Sequence, residues 1–254
     1  MKSMPSASVP ASSSRPAVMV VAHERSGTHF LMNTLAACYG YVSQPWINFD
    51  HVPFAINFYS PSQVRDQLLA LAAGPRTHLV KSHHQAGFFV GELPRLAEHY
   101  VLFYVCRNPV DVLLSYWRFM HRWPWFEGPK VADPLTFARS EPCGYMMRYQ
   151  LRQYPNLMQR WAAHVEGWLE AASALRRVLV VRYEDLDAHF AEVVQGFALV
   201  LGRPPQALAR PPREVNVIPG GPDDPSGQGL RPDVEALREL CHASVGATMT
   251  RLGY

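Results

Sequence analysis

The sequence predicts a three-layer α/β fold, with a mostly parallel central sheet between two layers of helices, and three observations predict it. Val18 to Val21, Tyr100 to Cys106 and Val178 to Val181 are apolar runs without alternation, as expected of strands buried on both faces. Between them lie stretches whose apolar residues recur at helical spacing. Each run also ends abruptly in polar or charged residues, and in parallel sheets ligands gather beyond those carboxyl ends.

The first strand runs into His23, Glu24, Arg25, Ser26, Gly27, Thr28 and His29, a polar turn with one glycine. A helix over 29–39 follows, with Phe30, Leu31, Leu35 and Cys38 on one side and Gly40 as its stop. Backbone N–H groups of such a loop converge on one point with the helix dipole behind them, which forms a P-loop-like anion cradle. A nucleoside triphosphate P-loop would read G-x-x-x-x-G-K-S/T, but Ala22 replaces its first glycine, Thr28 its lysine and His29 its magnesium-binding hydroxyl. The loop therefore suits a phosphate ester handled without a metal.

Residues 41–60 show no period but crowd Trp46, Phe49, Phe54, Phe58 and Tyr59 among prolines, and read as an aromatic loop. A short helix over 62–73, opened by Ser62 and closed by Gly74, precedes a brief strand over 77–80 that ends in Lys81, Ser82, His83 and His84. An irregular helix containing Pro94 leads to the strand over 100–106, which ends at Arg107. Asn108 and Pro109 open the next helix, whose apolar residues Val112, Leu113, Tyr116, Trp117 and Met120 recur at three and four. After a second aromatic insert over 121–126 comes a helix over 156–175 with Trp161, Val165, Trp168 and Leu169 on one stripe. The strand over 178–181 closes in Tyr183, Glu184, Asp185 and Leu186, and a helix over 187–201 stops at Gly202. Residues 203–232 are rich in Pro and Gly and read as a mobile lid or a wrapped loop, before a last helix over 233–251.

At 254 residues and 48% apolar content the chain can bury a large core, so residues 17–254 are expected to form one domain and 1–16 a disordered tail. A net charge of +3 without a basic block argues against nucleic acid as a partner. Four scattered cysteines with no C-x-x-C pair argue against zinc and a disulfide framework, and fit a reducing cytoplasm. Residues 1–16 lack the apolar core of a signal peptide, and no apolar run reaches membrane-spanning length. Nothing in the chain points to an oligomeric state.

Arg25, Lys81, His83, Arg107 and Tyr183 each follow an apolar strand, so the fold should bring them to one crevice. These residues resemble a family. Glu24 to Leu31 is similar to the 5′-phosphosulfate loop of sulfotransferases that use 3′-phosphoadenylyl sulfate (PAPS), P-K/R-S/T-G-T/S-T followed by an aromatic residue. Val80 to His83 resembles their K-T/S-H element, and Tyr104 to Tyr116 their 3′-phosphate element, R-N/D-P-x-D-x-x-x-S-x-Y/W. Tyr183 to Leu186 matches the later Y-E-D-L/M. Order and spacing follow the family from about residue 17 to 202.

The resemblance implies sulfuryl transfer from PAPS to a hydroxyl, with PAP as product and no metal required. It places Arg25, Ser26, Gly27, Thr28 and His29 at the 5′-phosphosulfate, Phe30 at the adenine, Arg107 and Ser115 at the 3′-phosphate, and Tyr183 as a further nucleotide contact. His83 is the expected base, with His84 as the alternative, while Lys81 and Arg25 stabilise the bridging oxygen. Trp46, Phe49, Phe54, Phe88, Trp123 and Tyr145 are candidates to line a pocket for a small apolar or aromatic acceptor. His51, His78, His99 and His164 belong to no constellation and read as surface or satisfied core residues.

Three departures stand out. Glu24 occupies a position where the family usually has proline, and a carboxylate beside an anion site is unfavourable unless it turns outward or pairs with a cation. His29 replaces a threonine, so a hydroxyl contact is either lost or remade by imidazole. The family's closing R-K-G-x-x-G-x-W segment is absent, leaving Arg213, Arg231 or neither to complete the 3′-phosphate site. Two other classes stay open: a P-loop small-molecule kinase, disfavoured by the missing lysine and hydroxyl, and a non-catalytic nucleotide-binding protein of the same fold.

Overall fold

The computed structural model describes residues 15–48, 60–74, 77–89, 91–212, 215 and 233–254, with the side chains of 45–48 excepted. Its centre is β1 (Ala17–Ala22), all six residues of which are buried. Around it lie β2 (Val42–Asn48), β3 (His78–Ser82), β4 (Tyr100–Cys106) and β5 (Val178–Arg182) in the order β2-β3-β1-β4-β5. Every pairing among these strands is parallel.

Alternate strand residues feed two cores. Met19, Val21, Leu102 and Tyr104 pack under α2 (Pro61–Ala72), α3 (Leu93–His99), α4 (Pro109–Arg122), α5 (Pro134–Arg139), α6 (Leu157–Ala174) and α10 (Val234–Arg251). Val18, Val20, Phe103 and Val105 pack on the opposite face under α1 (Thr28–Tyr39), α7 (Tyr183–Ala188), α8 (Phe190–Gly196) and α9 (Ala198–Leu201). That is the three-layer α/β fold read from the unalternating strands, with burial on both faces accounting for their composition.

The connection from β1 leaves toward β2, and that from β4 leaves toward β5, so the chain diverges between these two neighbouring strands. Such a switch point opens a crevice at the carboxyl ends. The loop after β1 and Arg107 after β4 both stand there.

Several local expectations need correction. Residues 42–48 are an edge strand and not part of an aromatic loop: Val42 pairs with His78 and Ile47 with Val80, with a register shift between them. An edge position and that irregularity admit Pro45, which hid the strand from a pattern reading. The helix before β3, α2, is capped by Ser60, not Ser62, since the Ser60 hydroxyl accepts from the Gln63 N–H and Gln63 Oε1 accepts from the Ser60 N–H. The helix expected over 187–201 starts at Tyr183 and is three short helices, broken at His189 and Phe197. Past Gly202, the chain as far as 212 wraps α1: the Gln206 N–H donates to the Cys38 carbonyl at 2.7 Å, and the Asn33 amide reaches the carbonyl of Val215 at 2.9 Å. Of the tail expected over 1–16, residues 1–14 lie outside the described residues, whereas Arg15 donates to the Gly40 carbonyl and the Pro16 carbonyl accepts from the Tyr41 hydroxyl at 3.0 Å, so these two are held against the fold.

Candidate active site

The loop after β1 is built from two left-handed residues. Arg25 has φ 68° and Gly27, which caps α1, has φ 95°. Glycine is required at 27 for a second reason, because a Cβ there would lie 2.3 Å from the Tyr183 ring. Gly27→Ala should displace Tyr183 and cost about 2 kcal/mol or more of stability, read as a lower unfolding temperature with loss of PAP binding. Between them, Ser26 is fully buried and its Oγ has no hydrogen-bond partner among the described residues. A buried unpaired hydroxyl in an anion cradle has a use only when something polar is bound.

Glu24 turns inward. Its Oε2 accepts from Arg160 Nη1 at 2.9 Å and its Oε1 from Arg160 Nη2 at 2.7 Å, while the Tyr116 hydroxyl donates to Oε1 at 3.1 Å. Burial by itself would raise this carboxyl's pKa, but Arg160, with His23 adding to it, holds it well below the ordinary value. The loop's carboxylate is thereby neutralised from behind. Arg160 was not foreseen; its signal is a charge on the stripe of Trp161 and Trp168.

Arg25 donates from Nε to the Ser115 hydroxyl at 3.0 Å, and its guanidinium lies 5.2 Å from the Phe119 ring centroid. Ser115 therefore ties α4 to the loop arginine. Across the crevice, Arg107 lies over the Tyr183 ring at 4.4 Å and 3.8 Å from the Asp111 carboxylate, and its Nε is buried without a hydrogen-bond partner among the described residues. Phe30 is buried against Tyr183 at 5.8 Å and Phe190 at 6.3 Å, with Arg210 above it.

On the other flank, Lys81 is buried and pairs in register with Val20, which places it one strand from the loop. His83 Nδ1 lies 2.8 Å from the Ala22 carbonyl. A carbonyl only accepts, so Nδ1 carries the proton and Nε2 is the basic nitrogen of the ring. The imidazole is thus fixed to the last residue of β1, at the start of the cradle. Behind it, His164 donates from Nε2 to the His83 carbonyl at 3.1 Å and accepts at Nδ1 from the Tyr104 hydroxyl at 3.1 Å. His164 is the satisfied core residue expected of it. His84 is buried, bonded at Nδ1 to Ser82 Oγ at 2.9 Å, and lowered to about 3 by burial and by Arg148. His29 is likewise pushed down to about 3, by burial and then by Lys81 and Arg25, so a neutral imidazole stands beside two cations.

The sulfotransferase domain model matches residues 15–215 of this chain. The chain belongs to the sulfotransferase family. Among solved structures, the mouse sulfotransferase SULT7A1 complexed with PAP matches with a TM-score of 0.51 at 16% identity, covering 74% of this chain and 59% of its own. A retinol dehydratase in complex with androsterone and inactive cofactor PAP gives 0.50 at 18%, covering 76% and 61%. The chain therefore spans about three fifths of the length of those proteins, and the likeness is one of fold. No curated protein sequence matches it.

The rings expected around an acceptor in this family member are dispersed. Phe49 and Phe54 lie outside the described residues, as does the side chain of Trp46. Phe88 is a buried core residue packed on His84 with ring centroids 4.4 Å apart. Trp123 stacks on Phe119 at 4.8 Å, which puts it one ring away from Arg25. Tyr145 is 42% exposed, and its N–H donates to the carbonyl of Phe126, itself 58% exposed beside Trp125 at 63%. A ring not foreseen, Tyr149, stands edge-on to His83 at 5.5 Å. Arg213 and Arg231 lie outside the described residues. Among those described, no helix is long and apolar enough to cross a membrane.

Proposed function

We propose that this chain is a PAPS-dependent sulfotransferase acting in a reducing cytoplasm, with residues 17–254 as one domain, and that it forms a sulfate ester on the hydroxyl of a small apolar or aromatic acceptor. The observation that carries this reading is His83: a histidine with its Nδ1–H committed to the end of β1 presents its basic nitrogen beside an anion cradle. A nucleotide-binding protein without chemistry has no need of a base so placed.

The residues fit the nucleotide. Ser26 Oγ and Arg107 Nε are buried donors without partners among the described residues, Arg25 and Lys81 supply positive charge, and Glu24 is cancelled by Arg160. When bound, PAPS supplies the sulfuryl group. His83 Nε2 takes the proton of the acceptor hydroxyl, which makes that oxygen the nucleophile. Arg25 and Lys81 hold positive charge at the loop, where it offsets charge on a departing phosphate, and reorganisation is reduced because Arg25 is already held by Ser115 and Lys81 is buried in β3. Arg107, steadied on Tyr183 and Asp111, reads the 3′-phosphate. Free Cys38, Cys106 and Cys241 are buried, as suits a reducing compartment. Tyr149 at the edge of His83 and Trp123 one ring from Arg25 support an apolar or aromatic acceptor.

Calorimetric titration tests this. PAP in metal-free buffer should bind more tightly than ATP with magnesium. The reverse preference would return the chain to the small-molecule kinase class, and binding of PAP without slow PAPS hydrolysis would favour a non-catalytic role.

A further inference from the structure

Position 24 is where this chain departs from its family's proline, and the structure shows what replaces it. Arg160 is fully buried and makes a two-pronged bond to the Glu24 carboxylate. Its Nη1 also donates to His23 Nε2 at 2.8 Å, and His23 Nδ1 donates to the Glu24 carbonyl at 2.9 Å. Glu24 is therefore gripped at both ends, by its carboxylate and by its carbonyl. The peptide so held is the one that enters Arg25, a non-glycine residue at φ 68°. A side chain in the left-handed region persists only where its neighbours over-determine it.

Arg160 also faces the other way. Its Nε donates to Gln150 Oε1 at 2.6 Å and Nη2 reaches the Met146 carbonyl at 3.4 Å. Both belong to or border the 3₁₀ turn Gly144–Tyr149, which carries Tyr149 to the edge of His83. One guanidinium thus spans the anion loop and the turn beside the base.

We propose that Glu24 and Arg160 form a positioning pair that imposes the left-handed turn at Arg25 and locks the nucleotide loop to the turn bearing Tyr149. This rests on the nucleotide reading of the loop given above. The requirement is for a planar fork, not for charge alone, because only a guanidinium bonds both carboxylate oxygens while reaching Gln150 from Nε.

The test is PAP affinity by calorimetry, measured well below each variant's unfolding temperature. Arg160→Lys keeps the charge and loses the fork, and should weaken PAP binding by about tenfold or more. Glu24→Gln/Arg160→Gln removes both charges, leaves no buried ion unpaired, and should also weaken it by about tenfold. Tyr116→Phe removes one bond to Glu24 with little change in shape, and should weaken it by about threefold; it serves if Arg160 variants do not fold. Wild-type affinity in folded variants whose unfolding temperature alone has dropped would overturn the inference and leave the pair a core filler. Failure of the wild type itself to bind PAP would overturn the nucleotide reading, and this inference with it.

Discussion

His83→Ala should lose a factor of about 10² or more in turnover while binding PAP nearly as tightly as the wild type. The separation follows from where the imidazole is held. Its Nδ1–H is spent on the Ala22 carbonyl, so the ring is anchored to the sheet and its only other polar atom is Nε2. The cradle, by contrast, is made of the loop's own N–H groups, Ser26, Arg25 and Arg107, none of which the substitution removes. His83→Asn, which can restore a bond to Ala22 without a basic nitrogen, should be as inactive as alanine. Steady-state rates and PAP calorimetry on both variants check this. Full activity in His83→Ala would move the base elsewhere, and His84 would be the next to substitute, although its ring is buried behind Phe88 and bonded to Ser82.

How much of this was legible follows from the range of the interactions involved. β1 and β4 declare themselves because strands buried on both faces must be apolar throughout, and β5, an edge strand only partly buried, keeps an apolar run because both of its faces still pack on the cores. Arg107 is the first charged residue past β4, His83 stands just past β3, and Lys81, expected beyond that strand, lies inside it because β3 runs on to Ser82. β2 does not declare itself, since an edge strand with a register shift tolerates Pro45 and keeps no period. Glu24 is half legible: a carboxylate beside an anion site demands a cation, but the sequence does not say which. Arg160, its partner, lies 136 positions away and is settled only by the packing of α6 against the sheet. The bond from Arg25 to Ser115 shows the same limit, because residues 90 positions apart meet only through the packing of α4 beside the loop. Phe88 shows it again, because an aromatic residue in an irregular segment carries no mark that distinguishes pocket wall from core.

The same buried polar layer should make the protein acid-sensitive well above the range where carboxylates titrate. Burial pushes His23 down to about 4, with Arg160 adding to it against Glu24. It pushes His84 down to about 3, with Arg148 adding to it, and His164 to about 3, with His23 and Arg160 adding to it. A histidine depressed in the folded state protonates only in the unfolded chain once the pH drops below about 6.5. The unfolded state then binds more protons, so stability is fully present above that pH and falls as the pH falls, until the folded rings titrate near 3 to 4. Between pH 7.5 and 5.5 each ring costs about 1.4 kcal/mol, and the three together about 4 kcal/mol. For a chain of this size that is a drop of about 10 °C in unfolding temperature. Denaturant melts at the two pH values measure it. His164→Gln keeps a donor for the His83 carbonyl and an acceptor for Tyr104 but cannot titrate, so it should remove about one third of the pH dependence. Equal stability at pH 7.5 and 5.5 would mean that these rings are open to protons in the native state, and the tautomer that leaves Nε2 of His83 as the base would lose the rigid support of His164 behind it.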